Sequence, residues 1–76
     1  MSAAKNALVT FVSKQAIEQY NAKDYANATK NFELTYKLSP TDTTQLYNAA
    51  VSASLAKDYE SSLKNYMKFT NSKIKS

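Results

Sequence analysis

The sequence contains no cysteine, histidine, glycine, arginine or tryptophan, and these absences exclude several classes of chemistry. Without cysteine and histidine, the 76-residue chain lacks both disulfides and the usual ligands of zinc, haem and iron–sulfur sites. Nucleophilic catalysis by Ser/His or Cys/His pairs is excluded for the same reason. The six carboxylates are scattered and are explained by helix capping or solvent exposure. We therefore expect no enzymatic activity, no metal and no cofactor.

Glycine is absent and Pro40 is the single proline, which is typical of a helical chain whose turns are formed by Asp, Asn and Pro. No apolar run approaches the roughly 20 residues of a membrane-spanning helix. The N-terminal residues also lack the apolar segment of a signal peptide. A cysteine-free chain functions in either redox environment, so the sequence leaves the compartment open.

The net charge of +4 comes from ten lysines and no arginine. Nucleic-acid-binding proteins favour arginine, because its planar fork makes bidentate contacts with phosphate and guanine. Lys23, Lys30 and Lys37 recur at seven-residue steps, and Lys57 and Lys64 continue the pattern further along. These rows could bind RNA or an acidic partner electrostatically. Acidic residues lie among them, so we interpret the rows as a solvated face.

An internal repeat organises the chain. The tetrapeptide at 22–25, Ala-Lys-Asp-Tyr, returns at 56–59, and the same shift produces eight identities between residues 9–42 and 43–76. We call this shift, which pairs position 9 with position 43, the repeat offset. The matches fall at helical spacings, which indicates a true repeat. We predict a single domain over residues 1–76, with a helical extension at 1–8, a first repeat at 9–42 and a second repeat at 43–76.

The spacing of apolar residues predicts four helices. They are expected at about Ala3–Ala22, Tyr25–Leu38, Thr43–Ala56 and Tyr59–Lys73. Asp24 and Asp58 are predicted to cap the second and fourth helices by accepting backbone N–H groups. Pro40 is predicted to end the second helix, and Thr41 or Asp42 to cap the third.

Each predicted helix carries a face of apolar or small residues at three- and four-residue steps, which we expect to be buried. In the first repeat the face consists of Leu8, Phe11, Val12, Gln15/Ala16 and Gln19/Tyr20, then Tyr25, Ala28, Phe32 and Thr35/Tyr36. In the second repeat it consists of Leu46, Ala49/Ala50 and Ala53, then Tyr59, Ser62/Leu63, Tyr66 and Phe69/Thr70. The predicted fold is all-α, with two stacked antiparallel helix-turn-helix hairpins.

A helix-turn-helix unit of about 34 residues resembles the tetratricopeptide repeat, and here the resemblance covers residues 9–76. It depends on small residues at fixed positions, an Asp-Tyr pair after the turn, a later aromatic and a proline near the end of a unit. The residues that carry it are Ala16, Ala50, Asp24-Tyr25, Asp58-Tyr59, Ala28, Ser62, Phe32, Tyr66 and Pro40. The usual turn glycine is replaced by Lys23 and Lys57. The second repeat looks most like repeats from bacterial proteins, and the resemblance implies an α-solenoid fragment.

The resemblance also implies a function, that of a non-catalytic protein–protein interaction module or scaffold that binds a peptide or helix in a concave groove. The groove-facing positions of the family are occupied here by Thr10, Ser13, Ile17, Tyr20, Asn21, Thr44, Tyr47, Val51, Ser54 and Leu55, with Asn48 beside them. Two alternatives remain open. One is an excised or designed repeat pair without a ligand of its own, which only self-associates, and the other is weak RNA binding through the lysine rows.

Each hairpin of such an array has one face that only a neighbour can cover. On the fourth helix that face is predicted to contain Leu63, Met67 and Thr70. We therefore expect a homodimer or a place in a longer repeat array. The sequence leaves open the partner, the source organism and whether the chain is natural.

Overall fold

The computed structural model of the protein describes residues 2–75, with side chains described for residues 5–74. Within that range there are four α-helices and no strand. They are α1 (Ser2–Asn21), α2 (Tyr25–Leu38), α3 (Thr44–Leu55) and α4 (Tyr59–Lys75). The outermost residues of the predicted extension and of the second repeat, Met1 and Ser76, lie outside the described residues, as do the side chains of Ala3 and Ala4.

Consecutive helices pack on one another, α1 on α2, α2 on α3 and α3 on α4. The pairs α1–α2 and α3–α4 are two hairpins, and the α2–α3 contact joins them. The predicted all-α fold of packed helical hairpins is confirmed. The body measures 36 × 34 × 14 Å, so it is little thicker than two helix layers. In so thin a body, burial is confined to the interfaces between helices.

The helix bounds differ from the predicted bounds by no more than two residues, and α2 begins and ends as predicted. The prediction that Asp58 caps α4 is confirmed, because its carboxylate accepts the backbone N–H of Ser61 at 3.3 Å. The prediction for Asp24 is right in position and wrong in bonding, because Asp24 occupies the N-cap position of α2 without the predicted hydrogen bond to a backbone N–H. Its carboxylate accepts no backbone N–H and instead accepts the side-chain amide of Asn27 at 2.9 Å.

The prediction for the start of α3 is also wrong, because the N-cap position is occupied by Thr43 rather than by Thr41 or Asp42. The Asp42 carboxylate accepts the side-chain amide of Gln45 at 3.0 Å. At both Asp24 and Asp42, an amide side chain three residues later competes successfully with the backbone for the carboxylate. Asp58 has no such competitor, since Ser61 stands at the corresponding position.

The two hairpin turns share one backbone geometry. In the first turn the N–H of Lys23 donates to the carbonyl of Tyr20 at 3.0 Å, and that of Asp24 donates to Gln19 at 2.8 Å. The equivalent pair of bonds, related by the repeat offset, closes the second turn around Lys57. This is the Schellman motif, which requires a left-handed residue and usually takes glycine there. Lys23 and Lys57 adopt that conformation, with φ values of 66° and 64°.

The core lies where α2 contacts its two neighbours. Its apolar members were all predicted to be buried, and they are Val12, Ala16, Ala28, Phe32, Leu46, Ala49, Ala50 and Ala53. Most of these are alanines, which let helix axes approach closely. Phe32 is the one large ring in the cluster that joins α1, α2 and α3.

Several side chains predicted to be buried are exposed instead, namely Leu8, Phe11, Tyr59 and Tyr66. Leu63 and Thr70 were assigned both to the buried face and to the α4 face that only a neighbour can cover, and their exposure agrees with the second assignment. Leu8 lies where the 20-residue α1 extends beyond the 14-residue α2. The described side chains of the predicted extension, those at 5–8, are all exposed. Phe11 lies about 100° around α1 from the buried Val12. The α4 residues are exposed because α3 is the one helix that packs extensively against α4 within the described range.

Candidate functional site

A cleft of about 430 Å³ lies between α1 and α3, with α2 beneath it. We call this cleft the groove and define it by its six lining residues. They are Ile17 and Tyr20 from α1, Phe32 from α2, and Tyr47, Asn48 and Val51 from α3. None of the six is charged. The structure thus brings together five of the predicted groove residues and adds Phe32, which was predicted only as a core residue.

The helical repeat explains why these side chains meet. Ile17 and Tyr20 are one turn apart on α1, while Tyr47 and Val51 are one turn apart on α3. The side chains of each pair therefore lie on one face of their helix. The α2 helix packs against both α1 and α3, so its buried Phe32 ring forms the floor between them.

Tyr20 is held by aromatic rings of its own hairpin. Its ring meets Tyr25 edge-to-face at a centroid distance of 5.4 Å and Phe32 at 6.5 Å. Such perpendicular pairs are favourable beyond the area they bury. These two contacts restrict the orientations that the Tyr20 ring can adopt in the groove.

Tyr47 is held in the same way by α4. Its ring lies 5.9 Å from Tyr66 and 5.7 Å from Phe69, and the Lys73 ammonium lies 5.3 Å from the Phe69 centroid. Each groove tyrosine is thus braced by rings from the second helix of its own hairpin. The two do not correspond under the repeat offset, because the counterpart of Tyr47 is Ser13 and that of Tyr20 is Ser54.

The polar side-chain groups of the groove are unpaired within the described part of the chain. The hydroxyls of Tyr20 and Tyr47 and the side-chain amide of Asn48 form no hydrogen bond with any other residue in the described part of the chain. Asn48 is half-buried, and its amide is not one of the buried side-chain groups that lack a partner, so water reaches it and an incoming hydrogen-bonding group can replace that water. The groove therefore offers three polar groups within an apolar and aromatic lining.

Of the six remaining predicted groove residues, three line neighbouring depressions and three do not. Thr10 and Ser13 line a second depression beside Ile17, of about 510 Å³. Thr44 lines a third beside Tyr47, of about 250 Å³. The other three predicted residues, Asn21, Ser54 and Leu55, are exposed and line none of these depressions.

The lysine rows are exposed, as the sequence analysis predicted for a solvated face. The α2 and α4 rows do not form a purely basic surface. Lys37, Lys64 and Lys68 surround a cleft that also contains Glu33, whose carboxylate accepts the amide of Asn65 at 2.8 Å. A partner that binds through phosphate groups would meet this carboxylate among the ammonium groups.

No family model, curated protein or solved structure matches the chain. No helix within the described range is long and apolar enough to cross a membrane. In the same range, no group of three or more Asp or Glu residues is placed to hold a metal ion. The groove is accordingly the feature on which a functional proposal can be based.

Proposed function

We propose that this protein is a non-catalytic interaction module of the tetratricopeptide-repeat type, which binds a peptide segment of another protein in the groove. Three observations support the proposal. Residues 9–42 and 43–76 repeat one pattern, the chain folds as two packed hairpins with matching turns, and a cleft lies between the first helices of those hairpins.

The observation that carries the proposal is the set of unpaired polar groups on Tyr20, Tyr47 and Asn48. An extended peptide presents backbone N–H and C=O groups that need partners, whereas the backbone of a helix satisfies its own. The groove therefore favours an extended segment over a helix. Its uncharged lining favours apolar or aromatic side chains in that segment.

Selection of short peptides from a display library, followed by affinity measurement on the selected peptides, tests this proposal. The variant Tyr20→Phe/Tyr47→Phe removes the two hydroxyls and retains both rings. We expect it to weaken binding about ten-fold or more, because each hydroxyl contributes on the order of 1 kcal/mol. Tyr59→Phe is the matched control. Tyr59 is an exposed tyrosine outside the groove, so the loss of its hydroxyl should leave the affinity for the peptide unchanged.

Two outcomes would contradict the proposal. If the wild-type chain selects no peptide, the alternative of a structural repeat pair without a ligand is favoured. If selected peptides bind equally well to the groove variant and to the wild type, binding occurs elsewhere on the surface.

Weak RNA binding through the lysine rows is distinguished by its salt dependence. Phosphate contacts release counterions, so such binding falls steeply between low and moderate salt. We expect a filter-binding assay to show no such fall, because Glu33 lies among the α2 and α4 lysines. A steep fall would favour the electrostatic alternative.

A separate proposal concerns the outer face of α4, where Leu63, Met67 and Thr70 are exposed. A further hairpin is proposed to cover it, either in a homodimer or in a longer repeat array. These residues lie outside the groove, so this proposal and the peptide proposal fail or succeed independently.

A further inference from the structure

The two second helices expose very different amounts of equivalent surface. Leu63 corresponds to Thr29 under the repeat offset, and the two residues are 62% and 6% exposed. The second hairpin covers the α2 position, because Thr29 lines a cleft with Ala56 and Ser61. No helix among the described residues covers the α4 position. Leu63, which is uncovered, is nevertheless more apolar than Thr29, which is covered.

The exposed apolar residues of α4 form one continuous stripe. They are Tyr59, Leu63, Tyr66, Met67 and Ile74, and Thr70 lies among them. At 100° per residue they fall within an arc of about 100°, which is the width of a helix face that packs against another helix. Scattered exposed apolar residues are common, but a full-length stripe marks an interaction surface.

Head-to-tail stacking of a second copy does not fit this stripe. The first hairpin of that copy would have to pack on α4 as the second hairpin packs on α2. The α3 helix fully buries Ala49 and Ser52, and Ala49 belongs to the cluster that contains Phe32 of α2. The corresponding residues of α1 are Gln15 and Glu18, which are longer and polar. Packing the Glu18 carboxylate against apolar side chains would bury a charge without a partner.

A hydrogen bond between the hairpins leads to the same conclusion. Asn65 of α4 donates to the Glu33 carboxylate of α2 at 2.8 Å. In a head-to-tail stack, Asn31 of the next copy would take the place of Asn65 and would meet Met67 in place of Glu33. The Asn31 amide already donates to Gln19 at 2.7 Å. The α4 stripe is thus suited to a different partner.

We propose that this partner is the α4 stripe of a second copy, packed antiparallel about a two-fold axis beside residues 66 and 67. In that register Tyr59 lies opposite Ile74 of the second copy, and Leu63 lies opposite Thr70 of the second copy. Tyr66 and Met67 meet at the axis. The stripe is therefore complementary to itself along its whole length, and the opposed helix dipoles favour the antiparallel arrangement.

The exposed area of the stripe limits the size of the interface. Large side chains expose roughly 150–250 Å² when fully accessible, so the exposed fractions of the stripe amount to at most about 600 Å² per copy. Two copies would therefore bury at most about 1,200 Å², the lower end of the range for specific interfaces. Interfaces of this size are typical of weak complexes, so we expect association that is micromolar or weaker.

Light scattering after size-exclusion chromatography tests the dimer. Between about 5 and 500 µM, a range chosen to span micromolar association, the mass should rise from 8.5 kDa toward twice that value. Leu63→Glu/Met67→Glu should stay at 8.5 kDa with an unchanged helical circular dichroism spectrum, because both side chains face solvent in the single chain. Phe11→Glu is the matched control, since Phe11 is equally exposed on α1 and its variant should still dimerise.

Because the chain has no cysteine, introduced cysteines report the register. Met67→Cys should form an intermolecular disulfide on oxidation. Tyr59→Cys should not link to itself, since its two copies would lie about 22 Å apart, but it should link to Ile74→Cys in a mixture. A mass of 8.5 kDa at every concentration overturns the proposal, as does linkage of Tyr59→Cys to itself.

Discussion

The two hairpins share their turns and differ in what covers their second helices. The hydrogen bonds around Lys23 and Lys57 match one for one, although the turns lie at different places in the stack. By contrast, Phe32 is 4% exposed while its counterpart Tyr66 is 40% exposed. The backbone conformation of each hairpin is therefore determined by its own residues. The burial of its side chains is set by the neighbouring hairpin.

Truncation of Phe32 and of its counterpart Tyr66 should give the largest difference in unfolding free energy between the hairpins. Phe32→Ala is expected to lower the free energy of unfolding by about 3–5 kcal/mol, because it leaves a cavity where three helices meet. Tyr66→Ala should lower it by about 1 kcal/mol, since water already covers part of that ring. Urea denaturation followed by circular dichroism measures both. Equal losses would contradict the account.

Asn31 and Asn65 correspond under the repeat offset, but their substitution by alanine should lower the free energy of unfolding by different amounts. Asn65 is buried and binds the Glu33 carboxylate across the hairpins, so Asn65→Ala is expected to cost about 1–3 kcal/mol in unfolding free energy. Asn31 binds Gln19 within its own hairpin and is half-buried, so water can replace it and Asn31→Ala should cost about 0.5–1 kcal/mol. The reverse order in urea denaturation would show that the bond between hairpins is not the stronger one.

Ser52, a fully buried residue of α3, provides a stabilising change. Its hydroxyl is buried and has no hydrogen-bond partner among the described residues. Ser52→Ala should raise the free energy of unfolding by about 1 kcal/mol, because it removes an unsatisfied polar group. Ser54→Ala is the control for helix propensity, since Ser54 is exposed on the same helix. If thermal unfolding shows the same gain for both, the buried hydroxyl is not the cause.

Substitution of the turn lysines, Lys23 and Lys57, should change the free energy of unfolding least, and by equal amounts. Lys23→Gly and Lys57→Gly are each expected to raise the free energy of unfolding by about 0.5–1 kcal/mol, because glycine adopts a positive φ without steric conflict. Lys30→Gly, at an exposed position inside α2, should lower it by about 1 kcal/mol. Unequal gains at the two turns would contradict the claim that their geometry is local.

Much of this structure follows from local sequence. The helices follow from apolar spacing, and the bounds of α2 follow from the breaks at Asp24 and Pro40. The presence of Tyr20 and Tyr47 in one groove follows from the predicted stacking of the hairpins. The left-handed lysines lie at the position where the tetratricopeptide repeat usually carries glycine.

What could not be predicted depends on competition between neighbours. Asp24 and Asp58 occupy the same place in their turns, yet only Asp58 accepts a backbone N–H, because Asn27 takes the Asp24 carboxylate. The exposure of Tyr59 and Tyr66 could not be read from their spacing, since burial depends on which helix packs against α4. The spacing predicts Phe32 as a core residue, and its place at the groove floor required the positions of three helices.

The most direct test of the account is amide hydrogen exchange of the single chain, measured at a concentration where light scattering shows a monomer. The account predicts that amides of α2, which is packed between two helices, exchange more slowly than their counterparts in α4 under the repeat offset. Equal protection in α2 and α4, or greater protection in α4, would contradict the claim that neighbouring hairpins determine which parts of this repeat are stable.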